Sequence, residues 1–402
     1  MTKKIISILL VVVLLVALSV TFIACDSDEL KKLTYTDENG VEQTINIKKT
    51  ADADTVTAAL VALAEKDIDK SDLAFAGLFL NVNGAISGMQ DDAEFAYDVN
   101  AGLSLEVGIG AYEETLESLV NAIGLYANIN IGGNLPIEAM MVDTEEDPTA
   151  VRDFTKISKL DENFSIYLDE STIYTKGTLS EDTLAVTEDI FDLSSFSGKT
   201  TMIPLAPIIK VISSFLSNDK LSSVFATVKD IKGTSSIYDI VANAFAAKDN
   251  DDEATTQEEK DQAAAAAYKE LYAFVKTMVT ALNIEITKTK GSTVTFSMKI
   301  DKNSLEFLNL DEELAGFDGS CDINVTIDAK TMLDISISAN ISDIAAYAIK
   351  CAGTDISINS SNLTITAVLK TTGSVTKLSQ EDKDAAEQVE LPIMSLLSLI
   401  MK

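Results

Sequence analysis

The stretch "FAYDVNAGLSLEVGIG", residues 95–110, decides the fold, because apolar and polar side chains alternate along its whole length. The apolar residues occupy the odd positions: Phe95, Tyr97, Val99, Ala101, Leu103, Leu105, Val107 and Ile109. A period of two is typical of a β-strand with one buried face and one solvated face. At about 3.4 Å per residue this strand would extend roughly 50 Å. We therefore expect it either to bend at Gly102 or to belong to a large curved sheet.

The same alternation returns in shorter segments on both sides of this stretch. They are "ANINI" (127–131), "FSIYL" (164–168), "TVTFSMKI" (293–300), "CDINVTI" (321–327), "LDISISANI" (333–341) and "LTITAVL" (363–369). Parallel strands are covered on both faces and show continuous apolar runs, so alternation favours antiparallel strands. Near the start, two strand-like runs flank Glu38-Asn39-Gly40, and Asn-Gly between such runs indicates a hairpin.

Helical spacing of apolar residues marks 53–66 and, above all, the block 204–282. An acidic loop, 248–262, interrupts this block, and Thr256 with Glu259 forms a capping box for its last helix. Strands fill two blocks, about 33–187 and 283–377. The prediction is an α+β body, 33–378, in which a large curved antiparallel β-sheet, similar to a half-barrel, has helices packed on its apolar face.

The phrase "INVTIDAKTMLDISIS", 323–338, resembles the strand, Asp-x-x-Thr turn, strand hairpin of the LolA/LppX-like lipoprotein-carrier folds. The resemblance rests on this phrase and on the predicted architecture. It implies a curved antiparallel sheet that wraps helices around an apolar cavity. The function implied is the binding or transport of a hydrophobic, lipid-like ligand.

The amino terminus contains the pattern of a secretory signal. Lys3 and Lys4 precede an apolar run from Ile5 to Ala24, which ends at Cys25. The residues Phe22-Ile23-Ala24-Cys25 resemble the lipobox of bacterial lipoproteins. That resemblance implies cleavage between Ala24 and Cys25, removal of residues 1–24, and diacylation of the Cys25 thiol.

The alternative is an uncleaved membrane helix, since twenty apolar residues rise about 30 Å, enough to span a bilayer. Both readings place the chain at the cell membrane, facing outside the cytoplasm. Under the lipoprotein reading, residues 25–32 form a tether between the membrane and the body.

Charge and composition exclude several classes of function. Asp and Glu number 63 against 31 Lys and Arg, for a net charge of −32. Nucleic-acid binding requires basic patches and is not expected. The chain has no His, which removes the usual general base and most zinc sites. We expect no metal, no cofactor, no catalytic residue and no enzymatic activity, with a hydrolase that uses carboxylates as the remaining enzymatic alternative.

Two other features concern the carboxy-terminal part of the chain. Cys321 and Cys351 could form a disulfide in an exported protein, or could remain reduced. The last segment, 379–402, is predicted to contain a polar helix at 380–390 and then an apolar tail, "LPIMSLLSLIMK", which packs into the core or covers an apolar cavity. The residues of a ligand site are not indicated by any motif.

These observations give two hypotheses. The first is a membrane-anchored lipoprotein that binds or carries a hydrophobic ligand. The second is a surface or scaffolding lipoprotein that binds a protein partner and has no ligand cavity. An apolar cavity of several hundred Å³ would favour the first hypothesis, and a solid core would favour the second.

Overall fold

The computed structural model divides into two compact units. Unit 1 consists of residues 1–72 and 233–366, and unit 2 consists of residues 73–232 and 367–402. The structure describes residues 33–36, 41–64, 74–113, 115–137, 139, 152–180, 197–207, 209, 269, 272–307, 316–328, 334–352 and 355–389.

The structure is mostly β-sheet, with a few helices, and its strands form a large mixed sheet that is not closed and a separate two-stranded sheet. The elements in chain order are β1 (Leu33–Thr36), β2 (Glu42–Ile45), α1 (Ala53–Ala64), β3 (Phe75–Gln90), β4 (Ala93–Ile109), α2 (Leu116–Ala122), β5 (Ile123–Leu135), β6 (Ser158–Asp169), β7 (Thr172–Thr178), β8 (Thr200–Pro204), β9 (Glu285–Lys290), β10 (Thr293–Ile300), α3 (Lys302–Phe307), β11 (Cys321–Asp328), β12 (Ile335–Asn340), α4 (Ser342–Ala352), β13 (Ile356–Lys370), α5 (Gln380–Asp384) and β14 (Glu387–Gln388). Residues 272–281 are also helical.

In unit 1 the predicted strands form as the alternation requires. The β1 and β2 strands pair antiparallel, which confirms the predicted hairpin, and the larger section has the order β9-β10-β11-β12-β13. Phe296 in β10 is opposite Val325 in β11, which is opposite Ile337 in β12, and all three are buried. On the other face, the Thr295 and Thr326 hydroxyls are hydrogen-bonded at 3.0 Å. Each strand therefore has one apolar and one polar face.

Helix α1 belongs to the core of unit 1. Every residue from Val56 to Leu63 is buried, so no face of this part of the helix is solvated. Asp52 caps the first turn by accepting a 2.9 Å hydrogen bond from the Thr55 amide. Just before it, Thr50 exchanges two backbone hydrogen bonds with Ile286 of β9, at 3.0 and 2.9 Å. The predicted helix at 53–66 is thus confirmed for its described part.

Unit 2 is built on long antiparallel strands in the order β3-β4-β5-β6-β7-β8-β14. The strands β3 and β4 pair residue for residue from Phe75 opposite Gly108 to Gln90 opposite Ala93. The β4 strand, which contains residues 95–109, is therefore continuous, and its pairing passes through Gly102 without a bulge. The turn between β3 and β4 uses Asp91 and Asp92, both with positive φ.

Two predictions about sheet and helix are wrong in part. The sheet is mixed, because β14 pairs parallel with β8, with Glu387 opposite Thr201. The polar helix predicted at 380–390 ends at Asp384 as α5, because the chain then becomes extended to pair with β8. The capping box at Thr256 and the acidic loop 248–262 lie outside the described residues, and the segment limits proposed from the sequence remain a prediction.

Candidate functional site

An apolar patch lies on one face of the unit 2 sheet. Residues directly opposite in antiparallel strands point to the same face. Leu105 of β4 is opposite Ala127 of β5, which is opposite Ile166 of β6. One pair further along, Ile129 of β5 is opposite Phe164 of β6. These side chains therefore form a contiguous apolar surface across three strands, which we call the apolar face.

The apolar face is exposed at its centre. Leu105 is 39% exposed, Ile129 51% and Ile166 36%. Large apolar side chains this accessible are unremarkable when scattered, but a contiguous group on one sheet face indicates a binding surface. This group is the strongest candidate functional site among the described residues of unit 2.

Buried groups border the exposed centre on both sides. On one side the stacked rings of Phe95 and Tyr97 have centroids 4.8 Å apart, and the Tyr97 hydroxyl donates to the Phe154 carbonyl at 2.5 Å. On the other side Thr175 of β7 and Thr201 of β8 are buried and share a hydrogen bond of 2.7 Å. The exposed patch therefore lies between two buried groups of the same face.

Gln90 fixes the chain that covers the Tyr97 side. Its side-chain amide donates to the Arg152 carbonyl at 2.9 Å and accepts from the Phe154 amide at 2.8 Å. Burial, together with the nearby negative charge of Asp153, raises the pKa of Tyr97. Tyr97 therefore remains a neutral donor throughout the physiological range of pH.

The opposite face of the same sheet is crossed by the C-terminal segment, which we define as residues 374–388. The Thr376 amide and hydroxyl donate to the buried Glu106 carboxylate at 2.6 and 3.1 Å. Val375 lies against two glycines, Gly108 and Gly124; a Cβ at Gly108 would be 2.7 Å from Val375 Cγ2. The segment thus covers the part of β4 where the sequence pattern predicts a solvated face.

Asp169, at the end of β6, is the main anchor of the C-terminal segment. Its carboxylate, 9% exposed, accepts hydrogen bonds from Lys377 Nζ at 3.0 Å and Lys383 Nζ at 2.5 Å. Lys383 Nζ also lies 5.8 Å from the centroid of the Tyr174 ring. Burial raises the pKa of Asp169, but the hydrogen bonds and charges of the two lysines outweigh burial and hold that pKa below its ordinary value. The carboxylate therefore functions as a fixed negative charge.

The prediction of one buried and one wet face for residues 95–110 is accordingly wrong for half of the strand. Phe95 and Tyr97 are buried at its start, as predicted. Near its end, Glu106 is buried and Leu105 is exposed. The reason is the C-terminal segment, which comes from about 270 residues further along the chain and covers the even-numbered side chains.

One cavity of unit 2 lies beside α2 and has a volume of about 340 Å³. Its lining is Ala111, Thr115, Glu117, Ser118, Asn121 and Ala122. Two of its hydroxyls already serve the local backbone, since Thr115 Oγ1 accepts from the Ser118 amide and Ser118 Oγ accepts from the Glu113 amide. Its mixed, largely polar lining does not match the apolar cavity expected for a carrier.

The structure places only some of the residues singled out in the sequence. Ala24 and Cys25 lie outside the described residues. Cys321 is buried in β11 and Cys351 is exposed on α4, and both are free cysteines. Burial, with the nearby charges of Asp322 and Asp343, raises the pKa of Cys321 to about 12. The disulfide between them stays a prediction.

Within the described part of the chain, no group of three or more Cys, Asp or Glu side chains is arranged to hold a metal ion. Nor is any helix there both long and apolar enough to cross a bilayer. No sequence motif distinguishes Ile129 or Asp169 from the other residues of their strands. Alternation suggested the apolar face, but only the pairing register shows which of its residues are neighbours.

Comparison with protein-family models, with curated proteins and with solved structures finds no match.

Proposed function

We propose that this protein is a membrane-anchored lipoprotein, outside the cytoplasm, that holds a hydrophobic, lipid-like ligand against the apolar face of unit 2. The observation that supports the proposal is the contiguous exposure of Leu105, Ile129 and Ile166. We further propose that the protein binds and does not catalyse, because the chain has no His and the buried carboxylates of Glu106 and Asp169 serve structural contacts.

The size of the exposed area is compatible with a weak, reversible lipid site. Completing the burial of three side chains that are already about half covered contributes about 2–3 kcal/mol. A chain of ten methylenes adds up to about 8 kcal/mol when fully covered. Immobilising the ligand costs at least about 4 kcal/mol. The balance corresponds to a Kd of about 10 μM, which suits a protein that takes up and releases its ligand.

The proposal extends to the finer architecture expected from the resemblance to LolA/LppX-like carriers. We propose that the large sheet curves and that helices of the block 204–282 pack on its apolar face, with the ligand between them. The apolar stripe of that block supports this arrangement, and so does the need of a one-sided sheet for a covering layer. The apolar tail after Leu391 would compete with the ligand for the same surface.

The anchor belongs to the same proposal. Cys25, as the first residue after cleavage, would carry two acyl chains, which hold a protein stably at a membrane where one chain does not. Seven residues separate Cys25 from β1, which begins at Leu33. Fully extended, they span about 25 Å at most. Mass spectrometry of the protein purified from membranes tests this directly, and an unmodified Cys25 would refute it.

The ligand is tested by titrating the purified protein with a fluorescent C16 fatty acid. The variant Ile129→Lys, which places a charge at the centre of the apolar face, should weaken binding at least tenfold. The matched control is Val41→Lys, because Val41 is also an exposed aliphatic residue, at 52%, but belongs to unit 1. Its binding should equal that of the wild type. Truncation before Leu391 should increase uptake if the tail competes.

Two results would contradict the proposal. Equal weakening in Ile129→Lys and Val41→Lys would show that binding is not located on the apolar face. Absence of fatty-acid binding by the wild type, together with a polypeptide that co-purifies with the wild type and is lost from Ile129→Lys, would favour the scaffolding alternative. Circular dichroism and thermal unfolding of each variant establish that the fold is intact.

A further inference from the structure

The polar face of unit 2, which lies opposite the apolar face, is rich in asparagine beyond the C-terminal segment. Seven asparagines share this face on four adjacent strands: Asn81, Asn83, Asn100, Asn128, Asn130, Asn134 and Asn163. In the central row, Asn81 is opposite Gly102, Gly102 is opposite Asn130, and Asn130 is opposite Asn163. We call this surface the amide face.

Gly102 lies between Asn81 and Asn130 on the amide face, and we call the area bounded by these three residues the trough. A Cβ placed on Gly102 would lie 2.5 Å from Asn130 Oδ1 and 3.0 Å from Asn81 Oδ1, so both amides lean over the glycine. Glycine inside a strand usually marks a bulge or a close approach of another group. The pairing of β4 with both neighbours continues through Gly102 without a bulge, and Gly102 has no positive φ. The close approach of the Asn130 and Asn81 amide oxygens is therefore the feature that requires glycine.

Four of the amides on this face have no hydrogen-bond partner among the described residues. Asn128 is fixed, because its Nδ2 donates to Ser165 Oγ at 2.8 Å and to Asn163 Oδ1 at 3.0 Å. By contrast, the side chains of Asn81, Asn83, Asn100 and Asn130 have no hydrogen bond to any other residue that the structure describes. Each offers one acceptor and two donors to the solvent side of the sheet.

The centre of the amide face is uncharged, on a protein whose net charge is −32. The nine positions that β3, β4 and β5 contribute to its three central rows are Phe79, Asn81, Asn83, Asn100, Gly102, Ser104, Asn128, Asn130 and Gly132. Its margins carry the acidic residues Glu94, Asp98 and Asp161 and the basic residues Lys159 and Lys176, of which Lys176 pairs with Asp382. The centre therefore offers no charged side chain to an ionic ligand. Side-chain amides present a donor beside an acceptor, which matches the adjacent hydroxyl groups of a sugar ring.

Aromatic rings border the amides. Tyr126 and Tyr167 lie on the same face, one row from Asn128, and their ring centroids are 5.0 Å apart. Both side chains are partly exposed. Tyrosine has an apolar ring with a polar tip, so it can contact the C–H face of a sugar and also accept or donate a hydrogen bond. Amides without a described partner, the trough and partly exposed tyrosines thus occur together.

We propose that the amide face binds a neutral polysaccharide, which lies across the strands with a sugar ring in the trough above Gly102. Neutrality selects against acidic and basic polymers, and the paired donors and acceptors of Asn81 and Asn130 bind the hydroxyls. This site is independent of the lipid-like ligand, because the two surfaces are opposite faces of one sheet section.

The test is native electrophoresis in gels cast with neutral polysaccharides, namely dextran, glucomannan and a β-1,3-glucan, or with the acidic polymer polygalacturonate. At least one neutral polymer should retard the wild-type protein. Gly102→Val, which fills the trough, should abolish retardation, and Asn130→Ala should weaken it at least fivefold. The matched control is Asn362→Ala, an exposed asparagine of β13 in unit 1, which should behave as the wild type.

The outcomes separate the alternatives. Three results would overturn the proposal. They are retardation that Asn130→Ala leaves unchanged, retardation by the acidic polymer alone, and no retardation by any neutral polymer. Asn130→Ala changes a half-buried side chain that has no hydrogen bond to another described residue, so it keeps the test decisive even if Gly102→Val does not fold. Ile129→Lys should bind polysaccharide normally, which distinguishes failure of this site from failure of the lipid site.

Discussion

Replacement of Asp169 by asparagine should release the C-terminal segment from the unit 2 sheet. Asp169 is the one described carboxylate that accepts hydrogen bonds from two lysines of that segment, Lys377 and Lys383. Asparagine keeps the shape of the side chain but removes its charge. The change therefore tests the ion pairs and not the packing of the site.

The expected cost follows from the exposure of the two lysines. Lys377 is 67% exposed. An ion pair with so much solvent exposure contributes only about 0–1 kcal/mol to stability. Lys383 is 18% exposed and lies 2.5 Å from Asp169, so its bond has the strength of a charge-assisted hydrogen bond, about 1.5–3 kcal/mol. We expect Asp169→Asn to lower the free energy of unfolding of unit 2 by about 2 kcal/mol. For a unit of this size that corresponds to a Tm lower by about 4–8 °C.

Calorimetry and urea unfolding measure this change, with Lys199→Met as the matched control. Lys199 pairs with Glu387 at 2.7 Å in the same unit, but the two side chains are 42% and 65% exposed. Its loss should change stability by less than about 0.5 kcal/mol. Equal effects of the two variants would refute the anchoring role of Asp169.

The pH dependence gives a second check with a definite sign. The folded pKa of Asp169 lies below its unfolded value, which is about 3.9. Its stabilising effect is therefore complete above the unfolded pKa and is lost as the pH falls through the folded pKa. The difference between wild type and Asp169→Asn should be constant from pH 7 to 5 and should close below about pH 4. A difference that persists at pH 2 would contradict the assignment.

Two further predictions concern buried side chains. Tyr97→Phe should lower the free energy of unfolding by about 1–2 kcal/mol, measured by thermal unfolding, because the buried Phe154 carbonyl loses its donor; an unchanged Tm would contradict this role. A thiol reagent at pH 8 should label Cys351 but not Cys321 in the folded protein, since only Cys351 is exposed and burial raises the pKa of Cys321 to about 12. Denaturation without reductant should make both thiols react with the reagent. If neither thiol is labelled in the denatured protein, the two cysteines form a disulfide.

Alternation predicted seven strands, because an apolar face is a local property of the chain: β4, β5, β6, β10, β11, β12 and β13. It did not single out β3, β7, β8, β9 or β14. The β10 and β11 strands show this best: Phe296 and Val325 are buried opposite one another, as the pattern of each segment requires. For β4, alternation left a bend at Gly102 open, and only the pairing register shows that the strand is continuous. Periodicity is effective for β10 and β11 because each of these two strands buries every second residue on one face.

Features that depend on distant parts of the chain could not be predicted in this way. Two hairpin turns were missed for a local reason. Asp91-Asp92 and Glu170-Ser171 adopt positive φ, whereas the usual sequence signal for such a turn is Asn-Gly. No local rule indicates that Glu106 is buried, because Thr376 supplies its partner from elsewhere in the sequence. The parallel pairing of β14 with β8 has the same origin, since it depends on where the C-terminal segment crosses the sheet.

The same geometry explains how the two proposed sites can be separated experimentally. Ile129 and Asn130 are consecutive residues of β5, and consecutive residues of a strand point to opposite faces. Ile129 therefore contacts whatever occupies the apolar face, and Asn130 faces the trough above Gly102. A substitution that disturbed β5 as a whole would weaken both activities together. If Ile129→Lys abolishes only fatty-acid binding and Asn130→Ala abolishes only polysaccharide binding, the two losses cannot come from a common distortion of the strand, and each must be assigned to its own face.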